Sequence, residues 1–183
     1  MDLTDIQKNY PRLSAAANDV LRLLGPGFTD KPDGHVETDI SAAASLAGLS
    51  LLRGKGFDLH QFKPGSVLLS DLDTEMNDIW NFMMAAAGNM GLDPSTGWDR
   101  EIPDANKPIY SVSEMTHKTE KEFLAICSRH NLNKEFYPYI AVLAALKLVY
   151  AANTMNVLDQ NIGKALTGYH VVAGAKTVPF PLD

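Results

Sequence analysis

One cysteine, no surplus of positive charge and no long apolar run set the first limits on this 183-residue sequence. Cys127 has no second thiol to pair with inside the chain, so disulfides do not hold the fold. It lies in an apolar helical pattern and reads as a small core residue of a protein kept in a reducing compartment. Lys and Arg total 16 against 22 Asp and Glu, and the cations are scattered singly or in short groups such as Arg53 and Lys55. Attraction to a phosphate backbone needs clustered cations that displace counterions, so nucleic acid is not an expected partner. The nearest approach to a membrane span, Ile140 to Tyr150, contains Lys147 and falls short of the roughly 18 to 20 apolar residues required, so no membrane partner is expected either. The opening MDLTDIQKNY is acidic and lacks an apolar run. It does not read as a signal peptide, and a cytoplasmic location is the expectation.

Catalytic signatures are missing as well. There is no nucleophile elbow, no paired-cysteine motif and no His-x-x-x-His. Gly25-Pro26-Gly27 is followed by no Gly-Lys-Ser/Thr and leads from helix to loop, the wrong context for a phosphate cradle. Asp71, Asp73 and Glu75 alternate as in a calcium loop, but Met76 stands where the central glycine belongs, and their place in a first helical turn makes them capping charges. No cofactor and no metal are expected.

What is present is apolar content, 45% of residues, enough to bury a sizeable core and consistent with one helical domain over residues 1–183. Pro11 to Leu24 carries Leu13, Ala16, Ala17, Val20, Leu21 and Leu24 at helical spacing, with Pro11 in its first turn and Gly25-Pro26-Gly27 as its stop. Thr38 or Asp39 caps a second helix, Ile40 to Leu52, apolar over most of its circumference and therefore central. Val67 to Leu69 is too short for a strand and is expected as a loop packed on the core. Ser70 or Asp71 caps a third helix with the stripe Leu72, Met76, Ile79, Met83, Ala86 and Met90. Ser113 caps a fourth, with Thr116, Glu120, Phe123, Leu124 and Cys127 inward. Lys134 to Met155 is a second buried helix, Val157 to about Val172 a sixth, and the tail KTVPFPLD is extended because of its prolines. The expected fold is an all-α, mostly up-down bundle of about six helices. Ala86 to Asp93 echoes Ala151 to Asp159, a match explained by Ala-rich helix ends.

The long stretch Gly91 to Val112, between the third and fourth helices, is the expected functional element, since structureless loops of this length in compact domains are usually functional or mobile. Alternating helices place it at one end of the bundle with Phe28 to Glu37 and Asn153 to Asn156, gathering His35, Asp39, Trp98, Asp99, Arg100, Tyr110, Ser113 and His117. Trp98 in a polar loop either covers the core or meets a ligand. Asp93, Ser95, Asp99 and Glu101 offer oxygen atoms to a cation, but Asp-Pro-Ser turn formation accounts for most of them. Glu114 and His117 have the Glu-x-x-His spacing of di-iron bundles. At about 100° per residue, however, Glu114 falls about 135° from the inward stripe and faces solvent. Glu120 and His117 make the better pair, though one His and one carboxylate are too few ligands for a recognisable metal site.

Three functional readings follow. The first is a non-enzymatic binding or interaction domain holding a small molecule or a partner segment at the loop end. Trp98 and Tyr110 supply apolar contact there, Arg100 and His35 are polar anchors, and His117 and Glu120 complete the candidate site. The second is a metal-assisted or acid–base enzyme using His117 and Glu120. The third is a structural domain whose Ala-rich helices self-associate into a homo-oligomer.

Overall fold

In a computed structural model, which describes residues 3–25, 28–29, 34–56, 58–68 and 73–181, the helical spacing of apolar residues becomes six α-helices. They are α1 (Leu3–Leu23), α2 (Val36–Gly54), α3 (Asp73–Asn89), α4 (Val112–Arg129), α5 (Tyr137–Thr154) and α6 (Gln160–Lys176). The described residues contain no strand, and the fold is an all-α bundle. The expected stop at 26–27, the cap at 70–71, and Leu69 and Leu72 lie outside the described residues.

One apolar core draws on all six helices, and α2 and α5 are its centre. α2 packs on α6, α5 and α4, and α5 on α1, α2, α6 and α3, so packing order departs from chain order. Small residues set the closest crossing. A Cβ on Gly48 of α2 would lie 2.0 Å from the Val171 carbonyl oxygen, and one on Gly174 of α6 would lie 2.2 Å from that of Ser45. Residues 134–154 have the length and composition to cross a membrane, more than the short apolar run suggests. Here that segment is the core helix, with 67% of its most apolar window buried.

Several helix ends differ from expectation for identifiable reasons. The polar lead before Pro11 is helical, because Ile6 (6% exposed) extends the stripe of Leu13, Ala16, Ala17 and Val20 by two turns. Pro11 is therefore interior and forfeits the bond to the Gln7 carbonyl. The cap of α2 is His35, whose Nδ1 accepts from the Thr38 N–H, in place of Thr38 or Asp39. The cap of α4 is Ser111 in place of Ser113, in a capping box completed by Glu114, so that exposed Glu114 serves the helix end. Asp159 caps α6, which begins later than expected and runs to Lys176. The tail then pairs with residues 65–68: Val178 donates to the Ser66 carbonyl and Leu68 to that of Lys176, around an isolated bridge between Val67 and Thr177. Val67 is 74% exposed, so this segment borders the fold without packing Val67 into the core.

The echo between residues 86–93 and 151–159 is a shared helix stop. Leu92 donates to the Ala87 carbonyl and Val157 to that of Ala152, each after a residue at positive φ, Gly91 and Asn156. Leu132 repeats the bond to Cys127 after Asn131 at the end of α4, where the sequence shows no such echo.

Candidate functional site

The connection between α3 and α4, residues 90–111, is tied down along its length. Asp93 builds its first turn: its carboxylate accepts from the Ser95 hydroxyl (2.7 Å), the Ser95 N–H (2.9 Å) and the Thr96 hydroxyl (2.9 Å). These bonds, the Ser95 hydroxyl foremost, pull its pKa down to about 2. The Asp-Pro-Ser turn thus engages both oxygens of the Asp93 carboxylate.

This turn sits on the first turns of α6. Asp93 N–H donates to Gln160 Oε1 (3.1 Å), and the wholly buried Lys164 sends its ammonium to the Asp93 carbonyl (2.5 Å). Burial lowers the Lys164 pKa, opposed by Asp93 and Asp159. Further on, Trp98 donates its indole N–H to the Pro94 carbonyl (2.9 Å) and tilts against Trp80 of α3, ring centroids 5.5 Å apart. Trp98 therefore covers the core, and it also lines a cleft.

The far part of the connection rests on the start of α2. Ile109 N–H donates to Thr38 Oγ1 (3.0 Å), Thr38 Oγ1 lies 2.9 Å from His35 Nδ1, and Asn106 donates to Glu37 (2.9 Å). Phe28 meets the edge of Tyr110 at 6.1 Å, and Arg100 reaches Asp159 at 3.5 Å. The residues of the first connection and those just beyond the fifth thus meet through the long connection. Its course is nonetheless along α6 and not only across one end of the bundle.

Between the long connection and α6 lies an open cleft of about 760 Å³ with a mostly apolar wall. Trp98, Ile102 and Tyr110 line it from the connection, Ala165, Gly168, Tyr169 and Val172 from α6, and Trp80 from α3. Asp99, Arg100, Glu101 and Lys107 bring two charges of each sign. Arg100 and Lys107 already face carboxylates, Asp159 and Asp104 respectively.

His170 completes the wall. It is 4% exposed, its Nδ1 has no hydrogen-bond partner, and burial lowers its pKa to about 4, which keeps the ring neutral at physiological pH.

The cleft therefore brings together Trp98, Arg100 and Tyr110, and leaves the other three candidate residues elsewhere. His35 is engaged as the cap of α2. Glu120 is 4% exposed and accepts a bidentate pair from Arg53, Nε to Oε1 at 2.6 Å and Nη2 to Oε2 at 2.9 Å. His117 is exposed and its ring tilts against Phe180, centroids 4.7 Å apart. The expected His117 and Glu120 pair is thus divided between separate partners, because the buried carboxylate needs a cation and Arg53 supplies it. Among the described residues, no three His, Cys, Asp or Glu side chains are grouped closely enough to hold a metal ion. Cys127 is buried, and desolvation raises its pKa to about 12, so it is an inert core thiol.

The sequence did not mark His170, Tyr169, Gly168 and Val172, which also line the cleft. The glycines of α6 held the signal, since Gly163 and Gly168 mark where Val149 and the Trp80 ring approach the helix. No family model, curated protein or solved structure matches this chain.

Proposed function

We propose that this chain is a non-catalytic binding protein that holds a small molecule in the cleft between residues 98–112 and α6. The observation that supports it is the wall itself. Aromatic side chains from α3 and from the long connection, with Tyr169 of α6, surround a concave, mostly apolar space within the size range of ligand pockets. No step of chemistry is needed to explain the arrangement: Arg100 and Lys107 are paired with carboxylates, and Nδ1 of the buried imidazole hydrogen-bonds to no carboxylate.

Both tryptophans of the chain line this cleft, so intrinsic fluorescence reports on it directly. The test is a fragment screen read by tryptophan emission and repeated on Val172→Phe. Val172 is 37% exposed at the cleft wall, and a larger side chain there fills the space without entering the core. Fragments that shift the emission of the parent protein and lose binding in Val172→Phe are the expected result. Hits that bind the variant equally well would place the ligand elsewhere.

Self-association is a second reading, favoured by Tyr150, Met155 and Val157, which are 46%, 67% and 62% exposed around the end of α5. Sedimentation velocity decides it: a concentration-dependent dimer that Met155→Glu disperses supports it, and a monomer throughout removes it.

A further inference from the structure

We infer that the ligand of this cleft is an organic cation, a protonated amine carried on an apolar, ring-bearing body. The inference rests on the reading of the cleft as a ligand site and adds the ligand's charge. Charge complementarity carries it.

Four charged residues belong to the wall, Asp99, Arg100, Glu101 and Lys107. The two cations face carboxylates that lie outside the wall: Arg100 pairs with Asp159 and Lys107 with Asp104. The two anions are not engaged in return. Among the described residues, Asp99 and Glu101 accept no hydrogen bond and close no ion pair. Glu101 adds only a lesser attraction on Lys107, behind that of Asp104. The wall is therefore left with negative charge that no protein cation pairs with.

A ligand that brings a positive charge into the cleft completes those pairs. One that brings a carboxylate or phosphate approaches two unmatched anions and has to displace an existing partner of Arg100 or Lys107, and such like-charge contacts are how a site rejects a competitor. Burial keeps the His170 ring of the wall neutral, so it adds no positive charge to oppose a cation.

The rest of the wall suits the same class. Trp80, Trp98, Tyr110 and Tyr169 all line the cleft. Aromatic rings attract cations through their faces and give apolar contact to a ring-bearing body. Lys118 Nζ lies 4.9 Å from the centre of the Tyr110 ring and Lys164 Nζ 6.0 Å from that of Trp98. Neither lysine is part of the wall, and each has carboxylates of its own, Glu114 for Lys118 and Asp93 with Asp159 for Lys164. Asp99 and Glu101 are thus left to a ligand. A bare metal ion would make no use of the apolar wall, and among the described residues no three His, Cys, Asp or Glu side chains are grouped to hold one.

The test is a matched set of probes on the intact chain, read by ligand-observed NMR: naphthylmethylammonium, its neutral counterpart naphthylmethanol, and naphthoate. The ammonium probe is expected to bind about twofold to tenfold tighter than the alcohol, the range of one or two exposed ion pairs, with naphthoate weakest. In Asp99→Asn/Glu101→Gln, where both side chains are exposed, that preference is expected to vanish while the alcohol binds as before. The chain carries a net charge of -6 and attracts cations in general, so Val172→Phe locates the binding: it is expected to weaken the ammonium and the alcohol alike. Equal binding of ammonium and alcohol by the parent protein, a preference that survives the double variant, or tighter binding of naphthoate would overturn the assigned charge class and leave the cleft as a ligand site. Absence of binding by all three probes at millimolar concentration, or ammonium binding untouched by Val172→Phe, would count against the cleft itself and the class with it.

Discussion

Gly97→Ala perturbs the seating of the long connection on α6 more directly than any other single change. Gly97 has φ +87, and a Cβ there would lie 2.5 Å from Asn161 Oδ1, 2.7 Å from Asn161 Cβ and 2.8 Å from Asn161 Cα. The Oδ1 atom can swing away, but Cα belongs to the first turn of α6 and cannot. Left-handed backbone costs an L residue about 1–2 kcal/mol, and overpacking adds about 1–3 kcal/mol. The total is about 2–4 kcal/mol, with the upper end limited by the alternative of letting the connection lift away. Gly91→Ala is the reference, because Gly91 also has positive φ (+81) but nothing within 4 Å of its added Cβ. It incurs the backbone strain alone. For a chain of this size each kcal/mol lowers Tm by about 2–4 °C, so Gly97→Ala is expected to melt several degrees below Gly91→Ala by circular dichroism. Its tryptophan emission is also expected to move to the red, as Trp98 gains water. Equal melting temperatures and unchanged emission in the two variants would refute the packing described for the long connection and, with it, the cleft.

Three other outcomes follow from buried charge. Arg53→Met strands the Glu120 carboxylate and is expected to cost about 2–4 kcal/mol in urea denaturation, with much of the loss recovered in Arg53→Met/Glu120→Leu; a single variant as stable as the parent would show the pair to be dispensable. Burial, aided by Glu37, raises the Asp39 pKa from 3.8 to about 7, so its ionisation opposes folding, with no penalty below the unfolded value and the full penalty above the folded one. Asp39→Asn is therefore expected to gain about 1–2 kcal/mol at pH 8 relative to the parent, after discounting for partial solvent screening, and to show no comparable gain at pH 3; equal effects at both would contradict the burial of this carboxyl. His170 works in the opposite direction. Its depressed pKa gives a contribution that is full above the unfolded value of 6.5 and is lost as pH falls toward about 4, so His170→Phe is expected to flatten the loss of stability across that window, by at most about 3 kcal/mol.

Periodicity made the bundle legible. Leu13, Val20, Ile79, Met83, Phe123 and Cys127 are buried as their spacing requires, and the apolar circumference of α2 and α5 marks them as central. Helix starts were harder to read, because caps are chosen by local geometry among several polar residues. Ser111 prevails over Ser113 since only it has Glu114 three residues on, and His35 is an uncommon cap that propensity does not suggest. Trp98 and Tyr110 stood out because large aromatics in a polar connection need something to cover, and both line the cleft. His170 did not, since a histidine among the apolar residues of α6 reads as ordinary core until its Nδ1 is found without a partner. Taken one at a time, the glycines of α6 lower helix propensity. In the fold, Gly163 makes room for the Val149 side chain of α5 and Gly174 for the Ser45 backbone of α2, which no propensity scale encodes.

The claim that the cleft is the binding site is tested most directly by titrating a fragment that shifts the tryptophan emission into isotopically labelled protein and following the indole N–H signals. There are only two, from Trp80 and Trp98, and both residues line the cleft. Binding in the cleft predicts that both signals shift together and saturate at one equivalent, with matching shifts at Gly168 and His170. Saturable binding that leaves both indoles unmoved, while shifts gather around Met155 and Val157 or another surface, would contradict it.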